Sequence, residues 1–160
     1  MFDIGDKVVY PMHGAGTIVA IEKREILGKE HQYYVLLLPI NRLKVMVPVK
    51  NANDIGVRRI MEVNDMEKVL EELSSDEKLK MPKNWNRRYR FNLDKIKSGN
   101  LIEIAGVIKS LEKIDAKKSL STGERKILND ARMILISEMA LVFDKDVDEI
   151  ISMVDEAIFG

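Results

Sequence analysis

From residue 7 to residue 49 the chain reads KVVYPMHGAGTIVAIEKREILGKEHQYYVLLLPINRLKVMVPV. Short runs rich in Val, Ile, Tyr and Leu alternate in this stretch with residues that favour turns, a pattern typical of β-strands joined by tight connections. We predict turns at His13–Gly16, Leu27–Lys29 and Pro39–Arg42. Four or five short strands in so few residues favour a small closed barrel of the SH3 or Tudor kind, because closure removes the unpaired edges of a small sheet.

Beyond the strands, apolar residues recur every three or four positions, which is a helical period. The first helix is predicted after a cap at Asn64, and the second over about Trp85–Lys97. Asn100 caps the third helix, a capping box at Ser121–Glu124 opens the fourth, and Asp146 opens the fifth. The loops between these helices are short, which favours antiparallel packing of neighbouring helices in a bundle.

The two patterns together predict an α+β protein with two domains. We expect a small SH3- or Tudor-like β-barrel at residues 1–54 and an all-α bundle of five helices at residues 64–160. The linker between them is predicted at residues 55–63, with a short helical turn near residues 53–56.

The composition excludes several classes of protein. With no cysteine among its 160 residues, the chain has no disulfides, no thiol nucleophile and no thiolate zinc site. It contains no apolar run of the length needed to cross a membrane, and its first residues lack the pattern of a signal peptide. We therefore expect a cytoplasmic protein without a membrane partner.

The sequence offers little support for catalysis. Neither His13 nor His31 has a carboxylate at metal-ligand or triad spacing, and the acidic residues are expected at helix caps and on solvated faces. The segment Gly14–Gly16 lacks the third glycine of a dinucleotide loop and opens onto a strand, not onto a helix. We expect no enzyme activity, no cofactor, no metal and no small-molecule substrate.

Charge is distributed unevenly along the chain. The 26 basic and 26 acidic residues balance, whereas residues 78–97 carry eight basic residues against Asp94 alone. Residues 138–160 are strongly acidic. One face is therefore expected to attract polyanions, while the balanced total predicts only modest affinity for DNA.

The basic segment also contains the single tryptophan, Trp85. Trp85 lies four residues before Tyr89, so helical spacing alone favours a place in the bundle core. Its immediate neighbours Asn84, Asn86 and Arg87 are polar, which favours an exposed ring that stacks on bases or wedges between them. The sequence leaves both interpretations open.

Four fragments in this order resemble the CarD family of bacterial transcription regulators, over nearly the whole chain. They are Gly5–Gly14, Val47–Arg58, Asn84–Tyr89 and Leu120–Arg125. The first fragment is also similar to the polymerase-binding domain of transcription-repair coupling factors. Each fragment alone is a weak signal, whereas the four together at these spacings are a strong one.

The resemblance implies a Tudor-like N-terminal domain that binds a lobe of the RNA polymerase β subunit. It assigns this contact to Arg24 and Ile26, with Met46 on the strand Leu43–Val47 beside them. Family members often carry a basic residue at the position of Met46.

For the helical domain, the resemblance implies contact with promoter DNA at the upstream edge of the melted region. Trp85 is assigned to that edge, approached through the minor groove, and Arg87, Arg88, Arg90 and Arg125 are the expected DNA-binding cations. Such contacts carry no sequence specificity of their own. The chain is expected to act as a monomer that stabilises the open promoter complex.

Two alternatives belong to other functional classes. The chain could be an adaptor for polymerase or repair proteins that makes no direct DNA contact. It could also be a fragment of a nucleic-acid-processing enzyme, since a coupling factor shares the first domain. The sequence contains no Walker motif and no carboxylate constellation for a metal, which disfavours the enzyme.

Overall fold

The computed structural model describes residues 1–77 and 80–160. Lys78, one member of the basic segment, lies outside the described residues. The strands are β1 (Lys7–Tyr10), β2 (Gly14–Ile26), β3 (Lys29–Leu37), β4 (Lys44–Pro48) and β5 (Arg58–Arg59). They form one antiparallel sheet in the order β4-β3-β2-β1-β5. No pairing of β4 with β5 closes it within the described ranges, so the predicted barrel is not confirmed.

The longest pairing in the sheet is the β2–β3 hairpin, which continues from Thr17 opposite Leu37 to Ile26 opposite Lys29. A bulge interrupts it between Ile18 and Ala20. The predicted turn after Ile26 is confirmed as a tight two-residue connection.

The described residues form six helices, not the five predicted. They are α1 (Ala52–Ile55), α2 (Val63–Ser74), α3 (Trp85–Lys97), α4 (Leu101–Lys117), α5 (Thr122–Phe143) and α6 (Val147–Phe159). Helix α1 follows β4 in the sheet domain and adds to the five helices of the bundle. None of the described helices combines the length and the apolar character needed to cross a membrane.

Two of the predicted caps, Asn100 and Ser121, are confirmed by hydrogen bonds, and Asn84 is a cap that was not predicted. The side chains of Asn84, Asn100 and Ser121 each accept a bond from a backbone N–H in the first turn of the helix that follows. The predicted cap at Asn64 is wrong, because α2 already begins at Val63. An apolar period locates a helix but does not fix its first residue.

The apolar residues form two cores. Val8, Ile18, Leu36 and Val47 are buried inside the sheet domain. The bundle core is larger, and its members come from all five helices α2–α6. Ile40 and Met61, which precede the bundle, pack against this second core and connect it to the sheet.

Helix α5 joins the sheet to the bundle through polar groups. The backbone N–H of Ala15 donates to Ser137 Oγ at 2.8 Å, and both residues are fully buried. Gly14 is required beside them, because its φ is +107° and a Cβ there would lie 2.7 Å from Ser137 Oγ.

An ion pair lies next to this contact. Arg58 donates two hydrogen bonds of 2.9 Å to the buried carboxylate of Glu138, and the backbone N–H of Met61 donates a third. Residues 58–59, which fall inside the predicted linker, pair with β1. The segment between sheet and bundle is therefore tied to both, although the exact domain limits stay a prediction.

Candidate nucleic-acid interface

Trp85 is the first residue of α3, and 48% of it is exposed. The helix begins there because the side chain of Asn84 accepts a hydrogen bond from the backbone N–H of Arg87. The indole stacks on Tyr89 one turn later, with 5.9 Å between the ring centroids and 24° between the ring planes. Both rings lie against Gly123 at the start of α5. The indole therefore packs on one side and leaves the other side open.

A hydrogen-bond network that ends on a buried carboxylate fixes the ring from beneath. The indole Nε1–H of Trp85 donates to Ser121 Oγ at 3.1 Å. The same oxygen accepts from the backbone N–H of Glu124, and its hydroxyl donates to the Glu124 carboxylate. Glu124 is 2% exposed, and Arg88 donates to it twice, at 2.9 and 2.7 Å. These bonds connect the first turns of α3 and α5, so the indole is held in one orientation.

The four predicted DNA-binding arginines differ in how free their guanidinium groups are. Arg87 and Arg90 are exposed on α3, and neither forms an ion pair within the described ranges. The Arg88 side chain is mostly buried and is occupied by Glu124. Arg87 and Arg90 are thus available to a phosphate, whereas Arg88 acts inside the protein.

Arg125 lies one turn after Ser121 on α5, close to the indole along the chain. Its guanidinium donates to Asp115 at 2.7 and 3.4 Å, and both side chains are partly exposed. The hydrogen bonds from this guanidinium lower the pKa of Asp115 from its usual 3.8, and the hydrogen bond from the Leu120 backbone N–H lowers it further. Asp115 therefore stays ionised at neutral pH and competes with any phosphate for Arg125.

The predicted polymerase contacts lie on the sheet domain, and β3 separates β4 from β2. Met46 pairs with Val35, and Val35 pairs with Ala20, so these three side chains lie on one face of the sheet. Arg24 and Ile26 are an even number of residues from Ala20 along β2, so they lie on the same face. The pairing puts Met46 two strands across and about 13 Å along the strand direction from Arg24. Met46 therefore lies on the same surface as Arg24 and Ile26 but not beside them.

Protein-family models match both halves of the chain. The model described as CarD, C-terminal domain, matches residues 68–155, and the model described as CarD-like/TRCF RID domain matches residues 2–61. The chain belongs to the CarD family. The RID domain is an RNA polymerase-interacting domain, so RNA polymerase is a partner of the sheet domain.

One similar protein is "Putative transcription factor YdeB" of Bacillus subtilis (strain 168). It is 37% identical to this chain over 142 residues, which are 89% of this chain and 92% of YdeB. The resemblance to CarD proteins seen in the sequence is thereby confirmed over most of the chain, and the CarD family is one of transcription factors.

Sequence reasoning missed the residues that position the indole in this CarD protein. Ser121 and Glu124 were identified only as a capping box, and the other acidic residues were expected at helix caps or on solvated faces. The expectation is wrong for Glu138, which is buried and paired with Arg58. Glu124 lies at the predicted cap, but it is buried there and paired with Arg88. A signal existed for Glu138, because it interrupts the apolar run from Met133 to Val142.

Proposed function

We propose that this CarD protein binds the RNA polymerase β subunit through its sheet domain and stabilises the open promoter complex through Trp85. The observation that supports the proposal most directly is the half-exposed indole at the start of α3. An aromatic ring that is fixed on one side and open on the other is suited to stack on a nucleobase.

The energetics make one ring sufficient for a measurable effect. Opening a promoter unstacks bases at the edge of the bubble, which costs a few kcal/mol per step. Stacking a base on an aromatic side chain returns roughly 1–3 kcal/mol. Because about 1.4 kcal/mol changes an equilibrium constant tenfold, Trp85 alone can extend the lifetime of the open complex.

Because the indole is already fixed in the free protein, more of the stacking free energy is available to stabilise the open complex. The bond to Ser121 and the stack on Tyr89 restrict the ring in the free protein, so little side-chain entropy is lost when a base stacks on it. Exposed Arg87 and Arg90 then contact phosphates beside the ring without reading sequence.

The polymerase contact explains how a chain with no net charge acts on DNA. A protein held on polymerase meets the promoter at a high effective concentration, so the helical domain needs little DNA affinity of its own. Selectivity then arises from promoters whose opening is unfavourable, not from base recognition by the protein.

The test is the open-complex lifetime on a promoter that opens slowly. Trp85→Ala is expected to shorten the lifetime roughly tenfold while leaving polymerase binding intact. Ile102→Ala is the matched control, because 41% of Ile102 is exposed and it lies in the first turn of α4, which begins at the opposite end of α3 from Trp85. The open complex formed with this control variant should live as long as the one formed with the natural protein.

A pure adaptor predicts a different result. Such a protein would bind polymerase through both domains, and Trp85→Ala would then leave the lifetime unchanged or weaken polymerase binding itself. The ion pairs of Arg88 and Arg125, which reduce the positive charge offered to DNA, are the observations that favour this alternative.

A further inference from the structure

The end of the β2–β3 hairpin projects beyond the rest of the sheet. Towards the apex of the hairpin, the pairing of β3 with β4 stops at Tyr33. Strand β1 pairs with only the beginning of β2, at Gly14–Thr17. Within the described ranges, residues 24–31 therefore pair only with each other, and every one of them is exposed. We call this segment the hairpin arm.

The apex of the hairpin arm carries an apolar residue in an unfavourable conformation. Leu27 has φ +53° and Gly28 has φ +75°, which is the geometry of a type I′ turn. Asn, Asp and Gly favour the first position of this turn, because a larger L side chain is strained at positive φ. Leu27 is also 98% exposed, so its side chain contributes no packing that offsets the strain.

The two faces of the hairpin arm differ in charge. Because directly paired residues share a face, Arg24, Ile26, Lys29 and His31 lie together on one side. Arg24 forms an exposed ion pair of 3.3 Å with Glu22 at the base of this face, which a carboxylate of a partner would have to replace. The other side carries Glu25 opposite Glu30 and is acidic. A partner that meets the first face is expected to offer carboxylates around an apolar surface.

We propose that Leu27 enters an apolar pocket of RNA polymerase, with Ile26 against its rim and Arg24 and Lys29 opposite carboxylates of the polymerase. The inference rests on the proposed function, since it adds an apolar anchor to the sheet-domain contact. Polymerase is the partner that the RID match supplies, and Leu27 is continuous with the predicted contacts Arg24 and Ile26. An apolar core surrounded by a polar rim is the usual anatomy of a protein–protein interface.

The substitution Leu27→Asn separates binding from folding. Asn suits the turn better than Leu, so thermal stability is expected to stay equal or to rise. Affinity of the full chain for polymerase, measured by titration onto immobilised core enzyme, is expected to fall at least tenfold. Leu27→Met keeps an apolar side chain at the same strained position and should retain most of the affinity. Phe159→Asn removes another exposed apolar side chain and should leave the affinity unchanged.

The remaining outcomes overturn the inference in distinguishable ways. If Leu27→Asn binds polymerase normally while Arg24→Glu binds weakly, the anchor is wrong and the proposed interface stands. If neither substitution weakens binding, the proposed use of this hairpin face is wrong as well. If Leu27→Asn only converts a dimer of the chain into a monomer, the apex is a self-association contact and not a polymerase anchor.

Discussion

A cation contributes to DNA binding only if its own protein leaves it free. Arg87, Arg88 and Arg90 lie in the first two turns of α3 and Arg125 lies in the first turn of α5, yet two of these four side chains are occupied by carboxylates. Arg88 belongs to a buried pair, whereas Arg125 belongs to a partly exposed pair that a phosphate can replace. The four side chains are therefore not equivalent, although they are of one chemical type.

We predict that Asp115→Asn raises the affinity of the protein for forked promoter DNA. The substitution releases Arg125 from its carboxylate, while the amide oxygen can still accept the bond from the Leu120 backbone N–H. The affinity should rise severalfold at low salt, and the dependence of log affinity on log salt should steepen by about one. Fluorescence anisotropy over a salt series measures both quantities.

The control for this prediction is Asp130→Asn, which removes the same charge from an exposed pair with Lys126 on α5. Equal gains for the two variants would mean that net charge, not Arg125, is responsible.

The ion pair of Asp115 with Arg125 also has a pH dependence. Because the pKa of Asp115 is lowered in the folded protein, its stabilising contribution is present above the usual value of 3.8 and is lost as pH falls through the lowered value.

At the scale of elements, the junction of α3 and α5 supports the indole. Each helix begins with its own cap, and the pair of Arg88 with Glu124 binds the two first turns together. The Ser121 hydroxyl both caps α5 and holds the indole, because it accepts hydrogen bonds from the Glu124 backbone N–H and from Trp85 Nε1–H. The site is therefore built on two helix ends, and its geometry depends on how they meet.

We predict that Glu124→Gln destabilises the protein by roughly 3–5 kcal/mol, because it leaves the mostly buried guanidinium of Arg88 without a counter-charge. Chemical denaturation measures the loss in the free energy of unfolding. Trp85 is the only tryptophan, so its fluorescence reports the junction directly and should shift toward longer wavelengths as the ring loosens. The exposed pair removed by Asp130→Asn should cost no more than about 1 kcal/mol. A stable Glu124→Gln protein with unchanged emission would contradict the proposed support of the ring.

At the scale of the whole molecule, α5 connects the sheet domain to the end of the bundle that carries Trp85. Its first turn carries Ser121 and Glu124, and Ser137 lies about 24 Å further along the axis, where it contacts the sheet. The hydrogen bonds of Ser137 and Glu138 fix the sheet against this helix. The distance between the sheet face and Trp85 is thereby set by one rigid element.

We predict that Glu138→Gln weakens this connection and costs roughly 1–3 kcal/mol of stability, since a buried acceptor of three hydrogen bonds is impaired. Arg58 is partly exposed and can be hydrated, which keeps the cost below that of the Glu124 substitution. Calorimetry should resolve one unfolding transition for the natural protein and a broadened or divided one for the variant. Arg59→Lys changes a neighbouring, exposed ion pair and should leave the single transition intact. Two separate transitions in the natural protein would show that the domains are not coupled.

Local patterns in the sequence determined most of the secondary structure. The strands, the turn at Leu27–Gly28 and the caps at Asn84, Asn100 and Ser121 follow from short-range preferences that act within a few residues. Family membership also followed from the sequence, because four fragments at fixed spacings are specific even when each is not.

Only the tertiary structure decided which side chains are free. Helical spacing put Trp85 on the core stripe, but a residue in the first turn lies at the end of the bundle, where no further layer covers it. Glu124 and Glu138 are buried because arginines from distant parts of the chain reach them, and α5 meets the sheet through Ala15, more than a hundred residues away. Burial of a charge depends on a partner brought by folding, and no pattern confined to neighbouring residues contains that information.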